Sequence, residues 1–299
     1  MSVASLALLL AAAGFHAAAN ALIKQSRDKL AFTWWMLGVT SILGLPFLLV
    51  VGDAQPAGWA IVLLSGLLET LYFIALTRAY SHGDLSQVYP IARGSAPLFV
   101  ALWAAVFLGE RPSPGGMLGI LLVVAGLYLV NLPSLSAWKQ PLQGFKNLAS
   151  RYALLTGLLI SIYSTVDKVG VRYFDPVIYL YLILLAGWIF LTPIWLQPGR
   201  RAALIAEVAP DPASEAGGRH RVHRAARVTA CALLGTAAYL FVLSALRISP
   251  VSYVSPVREM SVVIGAWIGV RFMGEPGGAM RIVASLLVAL GVLTIAVAG

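Results

Sequence analysis

The stretch Pro90-Ile91-Ala92-Arg93, with its apolar continuation to Leu108-Gly109-Glu110, occurs in a second version later in the chain. The second version begins at Pro256-Val257-Arg258 and ends at Met273-Gly274-Glu275. The two versions fall in the fourth and ninth apolar segments, and two copies of five segments must cross a bilayer in opposite directions because five is odd. The stretch therefore predicts an all-α integral membrane protein with ten transmembrane helices in two inverted five-helix repeats.

Composition also favours a membrane protein. Of the 299 residues, 60% are hydrophobic and 11% are charged, which leaves too little polar surface for a soluble globule. The net charge is +9, but most basic residues lie in short loops between apolar runs, where they indicate membrane orientation. We therefore expect no nucleic-acid partner. The single cysteine, Cys231, lies in an apolar segment and indicates packing, and we expect no metal and no cofactor.

Helices are the expected spanning form, because backbone groups in lipid must bond within their own segment. A helix of about 20 residues crosses the hydrocarbon layer. The first segment has no basic residue before its apolar core, so we expect a retained helix and not a cleaved signal peptide. The predicted spans are 3–23, 31–51, 57–80, 85–108, 114–132, 152–173, 176–197, 227–246, 250–273 and 277–298.

The predicted organisation has two repeats and one connection. The first repeat covers 1–132, an interfacial connecting loop covers 133–151, and the second repeat covers 152–299. A polar loop at 198–226, rich in Pro, Gly, Arg and His, is the candidate for local disorder. Further residue pairs agree with a diverged duplication: His16 with Tyr163, Asn20 with Asp167, Tyr72 with Tyr239, Ser86 with Ser252, and Pro90 with Pro256.

Arg93 and Arg258 lie well inside their predicted helices, where a charged side chain costs about 2.5–3.5 kcal/mol on insertion scales. We interpret both as substrate-binding residues in a water-filled cavity, because a guanidinium presents a planar fork to a carboxylate or phosphate. The alternative is internal pairing with Glu69, Asp167 or Glu259, which would hold helices together.

His16, Asn20 and Lys24 follow one another at four-residue steps and so form one stripe on the first helix. We expect this stripe to contact the substrate. His16 is also a candidate for proton coupling, because histidine changes charge near physiological pH; its alternative role is that of a structural hydrogen-bond donor. Lys24 stands at the helix end, where it can instead extend to the membrane interface.

Glu69 and Tyr72 share a face of the third predicted helix, and Tyr239 is the counterpart of Tyr72 in the eighth. Tyr72, Tyr239 and Asp167 are predicted to contact the substrate. Glu69 and Glu259 join His16 as coupling candidates, because a buried carboxylate can take up and release a proton during transport. Glu69 also has the alternative of pairing with Arg93.

Two glutamates and two prolines indicate how the helices begin and break. Glu110 and Glu275 each precede the start of the next helix, where a negative charge is favourable, so we expect them to cap that helix. Pro90 and Pro256 cannot donate to the helical ladder and predict a kink or break in the fourth and ninth helices. The alternative is that each proline lies harmlessly in a first helical turn.

Two five-helix halves, each with a proline early in its fourth helix and a Gly-Glu pair after it, resemble the drug/metabolite transporter superfamily and its EamA-like ten-helix exporters. The clearest matches are Leu108-Gly109-Glu110 and Gly274-Glu275, and the His16…Asn20…Lys24 opening is similar to a subset of the family. Members move amino acids, nucleotide sugars, sugar phosphates or cationic drugs, so the resemblance implies transport. The chain departs from symmetry because Glu259 follows Arg258, whereas Gly94 follows Arg93.

We therefore expect a secondary active transporter that exports small polar metabolites by alternating access, driven by protons or by the gradient of the cargo. Amino acids and related carboxylate- or phosphate-bearing compounds are the expected cargo. The alternative is a multidrug exporter of lipophilic cations, in which Glu69 would bind the cation. Soluble-type catalysis is disfavoured, because the chain has no Gly-rich phosphate loop, nucleophile elbow or His-Glu-x-x-His motif. An integral-membrane transferase can use scattered polar residues, but it is less expected because it would not need the inverted duplication.

The expected partners are a small-molecule substrate and membrane lipid, and the expected location is the bacterial plasma (inner) membrane, crossed several times. Gly115 and Gly119 favour close helix packing without requiring dimerisation, so we expect a monomer or a weak homodimer. Most basic residues outside the helices follow odd-numbered spans, and the positive-inside rule then places both termini outside. The family resemblance implies cytoplasmic termini, so both orientations stay open.

Overall fold

The computed structural model describes residues 1–24, 26–50, 56–83, 85–130, 132, 136, 138–139, 147–197, 199–209, 217–272 and 279–299. All regular elements within these ranges are helical. The α-helices are α1 (Val3–Lys24), α2 (Lys29–Gly44), α3 (Pro56–His82), α4 (Leu85–Phe107), α5 (Pro114–Leu129), α6 (Leu148–Gly170), α7 (Pro176–Trp195), α8 (Arg200–Val208), α9 (Gly217–Ile248), α10 (Val251–Arg258), α11 (Met260–Phe272) and α12 (Ala279–Ala298). A 3₁₀ turn at Leu45–Val50 extends α2.

Several helices begin at side chains that satisfy their first free backbone amides. Asp28 accepts hydrogen bonds from the amides of Leu30 and Ala31 at the start of α2. Asn147 accepts one from the amide of Ser150 at the start of α6. These short polar residues are good N-caps because their side-chain oxygens reach the amides that have no partner within the helix.

Seven helices of the described chain are long and apolar enough to cross a membrane. Two further helices contribute shorter apolar stretches, Ile91–Phe107 in α4 and Pro114–Leu129 in α5. The seven candidates are Val3–Ile23, Lys29–Leu49, Pro56–His82, Leu148–Gly170, Pro176–Trp195, Arg224–Ile248 and Met280–Ala298.

The two repeat prolines differ in their effect on the helix. The ninth predicted span, 250–273, is divided into α10 and α11, and Glu259 lies at the break. Pro256 is inside α10, and the amide of Glu259 turns back to the carbonyl of Pro256 at 3.1 Å. The predicted break is therefore confirmed at Pro256. At Pro90 a break is wrong, because α4 continues through that position without interruption, while a kink there stays a prediction.

The polar loop 198–226 contains a helix that was not predicted. α8 forms over Arg200–Val208 and α9 begins at Gly217, so the expectation of disorder is wrong for these parts, while residues 198 and 210–216 lie outside the described residues. Glu207 of α8 is buried and accepts hydrogen bonds from the amides of Arg27 and Asp28. These bonds fasten α8 to the connection between α1 and α2. Most of the predicted interfacial loop 133–151 also lies outside the described residues.

A small number of helix pairs make most of the packing contacts between the described helices. The most extensive contacts join α5 with α12, α3 with α6, α1 with α9, and α4 with α6. Further pairs are α1 with α10 and α11, α3 with α7, α2 with α7 and with α9, and α4 with α5.

Glycines allow the close crossing of α5 and α12. A Cβ atom added at Gly119 would lie 2.7 Å from the carbonyl oxygen of Gly291, and one added at Gly291 would lie 2.7 Å from the carbonyl oxygen of Gly119. The two backbones therefore touch, as small residues permit in membrane helices.

Candidate functional site

A cavity of about 800 Å³ lies in the middle of the helices. Its wall contains residues of α1, α2, α3, α4, α6, α9 and α11, together with Arg258 at the end of α10. It is large enough for a small metabolite, since ligand pockets commonly measure about 300–1,000 Å³. Seven of the residues predicted as site residues lie in its wall: His16, Asn20, Glu69, Tyr72, Arg93, Tyr239 and Arg258.

The cavity extends to one end of the molecule. Its wall includes Lys29 at the start of α2, Gly83 just beyond α3, and Arg281 near the start of α12. These residues lie at the end where α1 ends and α2 begins.

Arg93 and Arg258 come from different halves of the chain and share a buried carboxylate. Nη1 of Arg93 lies 3.3 Å and 3.4 Å from the two carboxylate oxygens of Glu259. Nε of Arg258 lies 3.7 Å from Oε1 of the same carboxylate. The break after Arg258 positions Glu259 between the two arginines, and its side chain has no exposed surface. The three residues are called the arginine–glutamate group below.

Arg258 keeps donors that are not used. It is 4% exposed and lies in the cavity wall, yet its Nε and Nη2 atoms have no hydrogen-bond partner among the described residues. These two atoms form one edge of the guanidinium, and such an edge can bind both oxygens of a carboxylate or two oxygens of a phosphate. A buried cationic group without hydrogen bonds is costly, so a ligand with acceptor oxygens would stabilise it.

Asp167 is placed behind the cavity wall by a set of hydroxyl groups. Its carboxylate accepts hydrogen bonds from the hydroxyls of Ser65 on α3, Tyr179 on α7 and Tyr239 on α9. The Asp167 side chain is fully buried, and Tyr239 is the member of this set that lies in the cavity wall. Both carboxylate oxygens therefore have hydrogen-bond partners, as a buried polar group requires.

The remaining predicted residues take different positions. His16 and Asn20 line the cavity together, as their four-residue spacing on α1 requires. Glu69, which belongs to α3, is 7% exposed and also lines the cavity. The side chain of Lys24 lies outside the described residues, although its backbone ends α1.

Glu110 does not cap the helix that follows it. Ser113 caps α5 instead, through a 2.9 Å hydrogen bond from the amide of Gly116. The carboxylate of Glu110 accepts hydrogen bonds from the amides of Val251 and Ser252, both at 3.0 Å, at the start of α10. The prediction named the wrong helix, because sequence proximity does not reveal that α10 begins beside this loop. Glu275 lies outside the described residues.

Sequence reasoning missed several residues around the cavity. Tyr80 and Tyr163 line it, and the rings of Tyr163 and Tyr72 meet edge to face with centroids 5.8 Å apart. The sequence could have indicated Tyr163, because the predicted duplication aligns it with His16. It could not indicate Ser65 or Tyr179, because a hydroxyl group in an apolar helix does not by itself identify a site.

The comparisons with known proteins identify the family. The model of the EamA-like transporter family matches residues 3–132 and 148–297. This chain belongs to the EamA-like transporter family. The expected membership of the drug/metabolite transporter superfamily is thereby confirmed. Together with its membrane-spanning helices, it makes this EamA-like chain a multi-pass membrane protein of transporter type.

A solved structure, described only as a crystal structure of a protein, has the same fold as this EamA-like chain. Its TM-score is 0.71, and the match covers 99% of this chain and 98% of that one at 15% sequence identity. At this identity the likeness is evidence for the fold alone. No curated protein matches the chain in sequence.

Proposed function

We propose that this EamA-like protein is a secondary active transporter that exports small polar metabolites bearing a carboxylate or phosphate, with amino acids as the leading class. The observation that carries the proposal is the unused edge of Arg258. A guanidinium that is 4% exposed, and whose Nε and Nη2 atoms have no hydrogen-bond partner among the described residues, stands in the wall of a cavity large enough for such a cargo. Desolvation in that wall strengthens its attraction for an anion.

Arg93 supports the same proposal from the other half of the chain. Its side chain is 22% exposed and lines the cavity beside Glu259. An anionic group bound between the halves would contact a charged residue from each of them. A site between the two halves suits alternating access, because movement of the halves would open the site first to one side of the membrane and then to the other.

We further propose ten membrane helices in two inverted repeats. Exchanging α1 with α6, α2 with α7, α3 with α9, α4 with α10 and α11, and α5 with α12 maps the observed helix pairs onto one another. The pair α1 with α9 becomes α6 with α3, for example, and α5 with α12 maps onto itself. The separate family matches to 3–132 and 148–297 support the same division.

The protein is open at one end and closed at the other, which suits one state of an alternating-access cycle in a plasma membrane. The cavity extends to the end with Lys29, Gly83 and Arg281. At the opposite end, the hydrogen bonds from α10 to Glu110 and from the amide of Ser113 to the hydroxyl of Tyr253 join the two halves. Transport would require these bonds to break while the other end closes.

Protons or the gradient of the cargo would drive export. Glu69 and His16 line the cavity and are the coupling candidates that the cargo can reach directly. Glu259 contacts both arginines, so a change in its charge would change the strength of anion binding.

The test is counterflow uptake into liposomes that contain the purified protein. The panel contains labelled amino acids, organophosphates and lipophilic cations, and Arg258→Ala is the principal variant. Arg247→Ala is the matched control, because Arg247 pairs with Asp175 at 3.1 Å on the surface. Uptake of an anionic or zwitterionic compound that Arg258→Ala or Arg93→Ala abolishes and Arg247→Ala preserves would support the proposal.

Export of lipophilic cations is the second candidate. Glu69 shares the cavity wall with Tyr72, Tyr80 and Tyr163, and a carboxylate with aromatic rings is a suitable environment for an organic cation. Uptake of lipophilic cations alone, unaffected by Arg258→Ala, would overturn the first candidate in favour of this one.

A further inference from the structure

The arginine–glutamate group carries unequal charge because the two repeats differ at one position. Glu259 follows Arg258, whereas the corresponding position after Arg93 is Gly94. The carboxylate of Glu259 is within ion-pair distance of both arginines. One negative charge held between two positive charges leaves this group with one positive charge in excess.

The excess charge has a defined location. Glu259 lies 3.3 Å from Nη1 of Arg93 but 3.7 Å from Nε of Arg258, beyond hydrogen-bond distance. The Nε and Nη2 edge of Arg258 is without hydrogen-bond partners in the described chain. A cargo with one negative charge at this edge would neutralise the group.

A cargo head with two negative charges would not be neutralised by the arginine–glutamate group. It would give the group a net negative charge and bring a second charge close to the carboxylate of Glu259, which water does not reach. Repulsion between like charges is strong in such a site. Glu69 in the same wall would add to the repulsion, whereas Lys29 and Arg281 at the open end attract anions of either charge.

We infer that Glu259 is a specificity-determining residue that admits cargo with a singly charged anionic head and excludes phosphate heads that carry two charges. The inference rests on the proposed function and narrows its cargo class to carboxylates and other monoanions. In its ionised form, Glu259 acts as an anion of the protein that shares the arginines with the cargo.

The probes are ethanolamine O-sulfate and phosphoethanolamine, which have the same frame and ammonium group and carry one and two negative charges on the head at pH 7.5. Each competes with the anionic or zwitterionic cargo that the counterflow panel identifies. In the wild type we expect the sulfate ester to compete at least about tenfold better than the phosphate ester. Glu259→Gln is expected to reduce this preference by about tenfold, because the fixed anion is gone.

Asp175→Asn is the matched control, since Asp175 also pairs with an arginine but lies on the surface. It should leave the preference unchanged. Equal competition by both esters in the wild type would overturn the inference, as would failure of both esters to compete or an unchanged preference in a folded Glu259→Gln protein. A panel that yields only lipophilic cations would overturn the proposed function itself.

A measurement on the wild type covers the case in which Glu259→Gln does not fold. The phosphate head loses its second charge near pH 6, whereas the sulfate head keeps one charge. Phosphoethanolamine should therefore compete about tenfold better at pH 5 than at pH 7.5 when measured relative to the sulfate ester. His16 and Glu69 also face the cavity, and the ratio removes only the part of their effect that is the same for both esters. A ratio that does not change with pH would overturn the inference.

Discussion

The side chain of Glu110 and the first turn of α10 are joined at Ser252, which donates both its backbone amide, at 3.0 Å, and its hydroxyl, at 2.7 Å, to one carboxylate oxygen. Glu110 belongs to the first half of the chain and Ser252 to the second. An acid from one half thus completes the N-terminus of a helix in the other, where the free amides and the helix dipole favour negative charge.

Replacing Glu110 should weaken the closed end. Glu110→Ala removes the acceptor for two amides and a hydroxyl, and loss of a cap costs about 1–2 kcal/mol. We expect a cysteine at the buried position Val254, in a Cys231→Ala background, to react with a polar maleimide about five to thirty times faster in this variant.

Glu207→Ala is the control for this experiment. Glu207 is also a buried glutamate that accepts two backbone amides, but it does so at the opposite end of the molecule. It should leave labelling at position 254 unchanged. Equal labelling rates in the wild type and Glu110→Ala would show that this bond does not hold the end closed.

Asp167 and the hydroxyl groups that donate to it should contribute to the stability of the protein in a coupled, non-additive way. Asp167→Asn places an amide donor among three hydroxyl donors, and leaving a buried group unsatisfied costs about 1–3 kcal/mol. We expect Asp167→Asn and Tyr239→Phe each to lower the thermal unfolding temperature in detergent. The double variant should lose less than the sum of the two, because both changes remove the same hydrogen bond. Strict additivity would contradict the cluster.

The crossing of α5 and α12 should tolerate no added side chain. Gly119→Ala would bring a Cβ atom to 2.7 Å from the carbonyl oxygen of Gly291, and overpacking costs about 1–3 kcal/mol. Gly94→Ala is the matched control, because its Cβ atom would come no closer than 3.9 Å to a neighbouring atom. We expect a lower unfolding temperature for Gly119→Ala alone, and similar values for both variants would refute the close crossing.

If Glu69 couples transport to protons, its replacement should abolish uptake driven by a pH gradient but not counterflow exchange. Glu69→Gln keeps the size and polarity of the side chain but cannot carry a proton between the two sides. We expect uptake driven by a pH gradient to be lost and counterflow exchange without a gradient to persist within about threefold. His16→Gln serves as the comparison, since His16 lines the same cavity. Gradient-driven uptake in Glu69→Gln would exclude Glu69 as the coupling group.

Much of the helical layout could be predicted from apolar length and proline position. The arginines at positions 93 and 258 could be identified because charge inside an apolar segment is costly and therefore informative. Their partner Glu259 could be named only as one of several acids, since sequence distance says nothing about which helices pack together. The interruption that follows Pro256 was predicted from the missing amide of proline, yet the helix is not interrupted at Pro90.

The contacts between the two halves of the chain could not be predicted from the sequence. The bonds from α10 to Glu110 and the three hydroxyls on Asp167 join residues far apart in the chain. Each depends on the positions of whole helices, and no local pattern encodes those positions. α8 was missed for a related reason: a nine-residue helix gains little by itself and depends on neighbours such as the connection that Glu207 binds.

Among the described residues, α8 has no counterpart in the first half, where the 3₁₀ turn ends at Val50 and α3 begins at Pro56. In a perfectly symmetric pair of inverted repeats, the two facings of an empty transporter would be related by a half-turn and would have equal free energy. α8 contacts α2, α7 and α9 and adds packing to the second half that the described residues of the first half lack. In the proposed alternating-access cycle, the two facings of the empty protein would therefore differ in free energy.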